Sequence, residues 1–186
     1  MVVVVEYDPD WPRVFEELRA SVAGAVQDIA ISIEHVGSTA VPGLAAKPVI
    51  DMDIVVAESD VAHAIERLSE LGYSHRGDLG IPLREAFRTP SGSRPHNLYV
   101  CPSNSPALAN HLALRDYLRG NAEASRDYGV LKKKLAEEFR DDIDGYIEGK
   151  TAFIVGILEK LGLTRDDIDD IERMNRRRVE RPDSAA

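Results

Sequence analysis

The spacing of apolar residues changes several times along the chain, and each change marks an element. Residues 2–6 are β-branched up to Glu6 and read as a short edge strand or an extended arm, which Pro9 and Pro12 end. From Trp11 to Ala30, Val14, Phe15, Leu18, Val22 and Val26 recur at helical spacing and predict one helix. Ile31–Val36 reads as a strand, Gly37-Ser38-Thr39 as a turn, and Pro42-Gly43 as the close of a short loop or a single helical turn. Val49–Val56 begins just after Pro48 and is mostly apolar and β-branched, as a central strand should be. Ser59 or Asp60 caps a helix that runs to about Leu71, where Gly72 stops it. A polar, glycine-rich stretch around Arg76–Pro82 follows. Two strands come next, Arg84–Arg88 and His96–Cys101, joined through Pro90–Pro95 as an antiparallel hairpin.

After Pro106 the pattern is helical throughout. Leu108, Leu112, Leu114, Tyr117 and Leu118 mark one helix, Ala122 to about Phe139 a second, and Ile143 to Leu161 a third. The fold class is therefore α/β (α+β): a mixed β-sheet flanked by helices, with a C-terminal helical segment. Residues 1–105 form the α/β core, 106–163 a helical segment packed on it, and 164–186 a charged tail. The tail runs acidic (Asp166, Asp167, Asp169, Asp170) and then basic (Arg173, Arg176, Arg177, Arg178), and reads as a solvated helix or a partly disordered segment.

Composition narrows the function classes. With 23 basic and 32 acidic residues among 186, the formal charge is −9, a poor balance for non-specific binding of nucleic acid or anionic membrane. A small anionic ligand in a locally cationic pocket remains compatible with it. One cysteine, Cys101, excludes an intrachain disulfide framework and a cysteine zinc site. There is no membrane-length apolar stretch and no signal-peptide pattern, so the expected location is the cytoplasm.

The chemistry is concentrated in one ordered set: a strand, Gly37-Ser38, 12 intervening residues, and Asp51-x-Asp53 within a second strand. Alternation puts Asp51 and Asp53 on one face and Ile50, Met52 and Ile54 on the other. Two adjacent carboxylates repel, and a hard divalent cation such as Mg²⁺ or Mn²⁺ relieves both the repulsion and the burial cost. Gly37 lets backbone approach a phosphate, free N–H groups of the following turn and the hydroxyls of Ser38 and Thr39 supply donors, and Lys47 can neutralise charge. Of Lys132, Lys133 and Lys134, not all can share a helix face; Lys132 is the candidate for an inward one. Arg88 and Arg94 flank the hairpin and are further candidate anion ligands.

Several runs carry a resemblance to a known family. They are Tyr7-Asp8-Pro9-Asp10-Trp11, His35-Val36-Gly37-Ser38-Thr39-Ala40-Val41-Pro42-Gly43-Leu44, Lys47-Pro48-Val49-Ile50-Asp51-Met52-Asp53 and His96-Asn97-Leu98-Tyr99-Val100. Leu114-Arg115-Asp116-Tyr117-Leu118, Tyr128, Leu131-Lys132, Tyr146, Lys150 and Phe153 extend it through the helical half. Together these residues resemble the GrpB family within the nucleotidyltransferase superfamily. The resemblance implies a nucleotidyltransferase-like fold and transfer of a nucleoside monophosphate from NTP to a small-molecule acceptor. It assigns phosphate to Ser38 and metal to Asp51 and Asp53. The superfamily's third carboxylate, usually on a neighbouring strand, is missing from His96–Cys101, which leaves His96 and Glu85 as candidate further metal ligands. Each also has a plain structural reading, His96 as a histidine bonded within the sheet and Glu85 as a surface residue. His35 reads as orienting the turn, and His111 as structural or surface. Two alternatives to catalysis stand beside this: a nucleotide- or phosphoanion-binding protein on the same fold, and an interaction scaffold acting through the C-terminal helices and tail.

Overall fold

The computed structural model describes residues 1–163 and 171–172; the charged tail expected from Thr164 onward lies almost wholly outside the described residues. The chain runs α1 (Trp11–Val26), β1 (Ala30–Val36), a 3-10 turn over Ser38–Ala40, β2 (Ile50–Val56), a second 3-10 turn over Glu58–Asp60 and α2 (Val61–Glu70). Then come β3 (Ser74–His75), β4 (Glu85–Arg88), β5 (His96–Pro102), α3 (Pro106–Gly120), α4 (Ala122–Glu138) and α5 (Ile143–Lys160). The mixed sheet has the order β1-β2-β5-β4-β3: β2 and β5 are parallel, and the other three pairings are antiparallel.

The first helix ends at Val26, four residues short of the Ala30 expected, and Ala30 instead begins β1 opposite Val56. Sheet pairing of Ala30 outweighs its helical preference. The 2–6 segment is an extended arm: Val5 makes an isolated bridge with Ala46, and the Val2 amide donates to the Arg140 carbonyl. The hairpin β4–β5 is antiparallel as expected. The short β3 at the sheet edge was not legible, because two residues carry no periodicity.

The two sheet faces differ in kind. Ile50, Met52, Ile54, Leu98 and Val100 face α1 and α2 and join Phe15, Leu18, Val22, Val26, Ala64 and Leu68 in the main core. Burying such a side chain is worth about 1.5–3 kcal/mol, and this one-sided core fixes the register of β2 and β5. The opposite face carries Asp51, Asp53 and Val55 on β2 and Asn97, Tyr99 and Cys101 on β5. The three C-terminal helices lie on this side, where Val41 and Leu44 pack with Leu118, Tyr128 and Ile157, and Val55 and Cys101 with Leu108.

Candidate functional site

The second face and its helical cover enclose a cleft of about 510 Å³, a size suited to a small ligand. Its floor is Asp51, Asn97, Tyr99 and Ala86. One side is Ser38, Thr39 and Lys47, the other Arg76 and Leu79. The roof is Lys132 of α4 with Tyr146 and Lys150 of α5.

Gly37 is required where it stands. Its φ of 71° and ψ of −171° belong to a region that glycine almost alone adopts, and a Cβ built there would overlap Asp51 Oδ2. The turn and the acidic strand are therefore in contact. His35 orients the turn: its ring stacks on Phe15 at 4.6 Å and its Nε2 is hydrogen-bonded to Thr39 Oγ1 at 3.0 Å. Burial and the nearby arginines Arg119 and Arg115 lower the His35 pKa to about 4, so the ring is neutral. Thr39 thus lines the cleft with its hydroxyl already engaged, whereas Ser38 remains half-buried beside it.

Asp51 and Asp53 share a face, as alternation requires. Asp51 Oδ1 accepts from Asn97 Nδ2 at 2.7 Å, and burial raises the Asp51 pKa against the lowering effect of that bond. Asp53 is fully buried. Its Oδ2 accepts from His111 Nδ1 of α3 at 2.7 Å, and its Oδ1 has no hydrogen-bond donor. A buried carboxylate oxygen without a donor is a costly arrangement that a cation relieves. With Asp51 Oδ2 at the Gly37 turn, Asp51 and Asp53 are the two carboxylates here that could hold a hard cation, which would need its remaining ligands from outside the protein. Among the described residues no group of three or more His, Cys, Asp or Glu side chains is arranged to hold a metal ion. The register shows why: Asn97 and Tyr99 stand opposite the two aspartates on β5, and on β1 Glu34, opposite Asp53, accepts from Arg115 at 2.9 Å.

Two expected ligands fall elsewhere. His96 pairs with Ile50 and lies on the core face. Its Nδ1 donates to the Arg94 carbonyl at 2.7 Å and its Nε2 accepts from Tyr73 at 2.9 Å, so both ring nitrogens are in use. Glu85 pairs with Val100, also on the core-side face, and accepts from His75 at 2.6 Å. Neither is brought to the aspartates. The two arginines are displaced as well: Arg94 is paired with Glu17 of α1 at 3.4 Å, and Arg88 is exposed opposite Ser74, outside the cleft lining. Alternation along β4 and β5 accounts for the histidine and the glutamate, and the outward-facing hairpin turn for Arg94.

Lys132 is where an inward lysine was expected. It is 2% exposed, its Nζ lies 4.5 Å from the Tyr128 ring centroid, and it has no hydrogen-bond acceptor. Burial, reinforced by Lys150, lowers its pKa to about 7. Lys150 Nζ sits 4.5 Å from the Tyr146 ring centroid and Lys47 Nζ 5.9 Å from it. Arg76, Lys150 and Tyr146 were missed as site residues, and so was His111. One signal was available for Lys150, which follows Tyr146 by one helical turn. None was available for His111, 58 residues from Asp53.

The family model of the GrpB protein matches residues 1–160. This chain belongs to the GrpB family. It is 36% identical over 154 residues to the UPF0157 protein YqkA of Bacillus subtilis (strain 168), covering 82% of this chain but only 45% of YqkA. The crystal structure of the conserved protein GrpB from Enterococcus faecalis superposes with a TM-score of 0.76 at 34% identity, covering 92% of this chain and 98% of that one. The GrpB chain is also similar to Cid1 in complex with the UTP analog UMPNPP, with a TM-score of 0.52 at 14% identity, over 82% of this chain and 49% of Cid1. At that identity the likeness shows a shared nucleotidyltransferase-like fold and nothing finer.

Proposed function

We propose that this GrpB protein binds a nucleoside triphosphate with a divalent cation, Mg²⁺ or Mn²⁺, in the cleft, and transfers the nucleoside monophosphate to a small-molecule acceptor. The carrying observation is a pair of buried, unsatisfied groups of opposite charge: Lys132 Nζ in the roof of the cleft, and Asp53 Oδ1 on the sheet face that carries the cleft-lining Asp51, two residues further along β2. A cation–phosphate complex answers both at once. The Cid1 likeness supports the reading at the level of fold.

In this reading the Gly37-Ser38 turn approaches the phosphate oxygens, Lys47, Lys132, Lys150 and Arg76 neutralise phosphate charge, and Asp51 and Asp53 hold the metal. The cation would supply Lewis-acid stabilisation of charge developing on phosphorus-bound oxygen. The acceptor oxygen forms a bond to the α-phosphorus as the bond to pyrophosphate breaks. The helical roof excludes water and positions the chain of phosphates.

The test is incubation of purified protein with labelled NTPs, Mg²⁺ or Mn²⁺ and a panel of acceptors. Metal-dependent transfer that disappears in Asp51→Asn/Asp53→Asn is the expected result; equal transfer by that variant would sink the reading. One observation favours a second reading. Asn97 and Tyr99 occupy the β5 positions facing the aspartates, where a third acid would complete the metal site. A phosphoanion-binding protein without turnover would show ligand-induced thermal stabilisation, about 2.7 kcal/mol at one hundred times Kd, and no transfer.

A further inference from the structure

The electrostatics of the cleft differ from those of a site built around two metal ions, and the difference lies in this chain's own side chains. Two-metal transfer sites use a second cation to offset charge on the leaving phosphates; resting on the nucleotide reading above, we infer that in this chain Lys132 supplies that positive charge instead, so that the site holds one metal ion per chain with its triphosphate.

Three observations converge on it. First, the acids are enough for no more than one cation: Asp51 lines the cleft, Asp53 is buried on the same strand face with one oxygen lacking a donor, Glu34 is held by Arg115, and β5 contributes Asn97 and Tyr99. Second, Lys132 is 2% exposed, lines the same cleft as Asp51 and has no hydrogen-bond acceptor, although a buried ammonium ordinarily has one. The arrangement is that of a charge placed for an anion. Third, the cleft is already strongly cationic without a second metal ion: Lys47, Arg76, Lys132 and Lys150 line it, and the buried Arg84 guanidinium lies 4.5 Å from the ring centroid of Tyr99 at its floor.

Lys132 is also held where a fixed cation must be. It projects from the middle of α4, with its ammonium on the face of buried Tyr128. Such a lysine acts as a point charge whose position does not depend on metal concentration.

The experiment counts Mn²⁺ ions by electron paramagnetic resonance and equilibrium dialysis, with a non-hydrolysable NTP analogue at saturation. Wild type is expected to bind one Mn²⁺ per chain. Lys132→Met is expected to bind the analogue about 30-fold or more weaker at fixed free Mn²⁺, to recover part of that loss at high Mn²⁺, and then to carry two ions. Lys132→Arg, which keeps the charge, should retain one ion and most of the affinity, and serves if the methionine variant does not fold. Two ions in wild type, or unchanged affinity in Lys132→Met, overturns the inference while leaving nucleotide binding standing. Failure of wild type to bind the Mn²⁺–analogue at all overturns the nucleotide reading, and this inference with it.

Discussion

Single residues in the cleft are under opposing demands. Gly37 sits at a backbone angle other residues avoid and against the Asp51 carboxylate. Gly37→Ala should therefore cost about 1–3 kcal/mol, read as a Tm lower by several degrees, and should also displace Asp51 and weaken ligand binding. Asp51 and Lys132 are both charged groups that folding disfavours. The Asp51 carboxyl is raised by burial, so the folded protein holds a proton that the unfolded chain has already released. Its penalty is absent at acid pH and complete once the pH exceeds the folded pKa. Asp51→Asn, which keeps an acceptor for Asn97, should stabilise the unliganded protein at pH 7–8 by about 1 kcal/mol, with the gain fading as pH falls toward the ordinary carboxylate range. Lys132 has the complementary sign. Its pKa is lowered from 10.5 to about 7, so the unfolded chain binds more protons across that window and stability rises with pH through it. Lys132→Met should raise Tm most below pH 7 and flatten the dependence above it. Thermal melts from pH 5 to 10 check both.

At the scale of elements, caps decide how firmly the roof is held. α3, α4 and α5 begin with Ser105, Asn121 and Asp142, whose side chains accept from the amides of Leu108, Ala124 and Gly145. Asp142 matters most for the site, because α5 presents Tyr146 and Lys150 to the cleft. Asp142→Ala should cost about 1 kcal/mol. If the nucleotide reading holds, it should weaken ligand binding as well, measured by calorimetry against Asp142→Ser, which keeps the cap. The elements themselves were largely legible from periodicity: β2 from its β-branched run, and α3 to α5 from their apolar stripes. Boundaries went astray where a tertiary partner intervened, as when Ala30 left its helix to pair with Val56.

For the whole molecule, the helices complete the sheet. Arg115 donates to Glu34 and to the His35 carbonyl, Arg119 to the Ala40 carbonyl, and His111 to Asp53, so α3 is tied to β1, β2 and the turn between them. Removing residues 106–186 would uncover Val41, Leu44, Val55 and Cys101 and leave Asp53 without its histidine. The 1–105 fragment is therefore expected to show no cooperative thermal transition. A sharp transition with native-like circular dichroism would show instead that the sheet and its α1–α2 core stand alone. Among the described residues no helix is long and apolar enough to cross a membrane.

By itself the sequence determined the Gly37-Ser38 turn, the shared face of Asp51 and Asp53 and the family, and offered Lys132 as one candidate among three lysines for an inward position. The turn and the shared face are carried by local geometry, a glycine-dependent turn and strand alternation, and the family by the resemblance of whole residue runs. Only the tertiary structure decided what surrounds them. The parallel β2–β5 pairing turned His96 into the core and set Asn97 beside Asp51. Packing of α3 brought His111 to Asp53, and α5 and the 76–79 loop added Lys150 and Arg76 to the cleft. These residues meet across long sequence separations, where no spacing rule operates. Their meeting depends on which faces bury apolar surface, and that is a property of the folded chain.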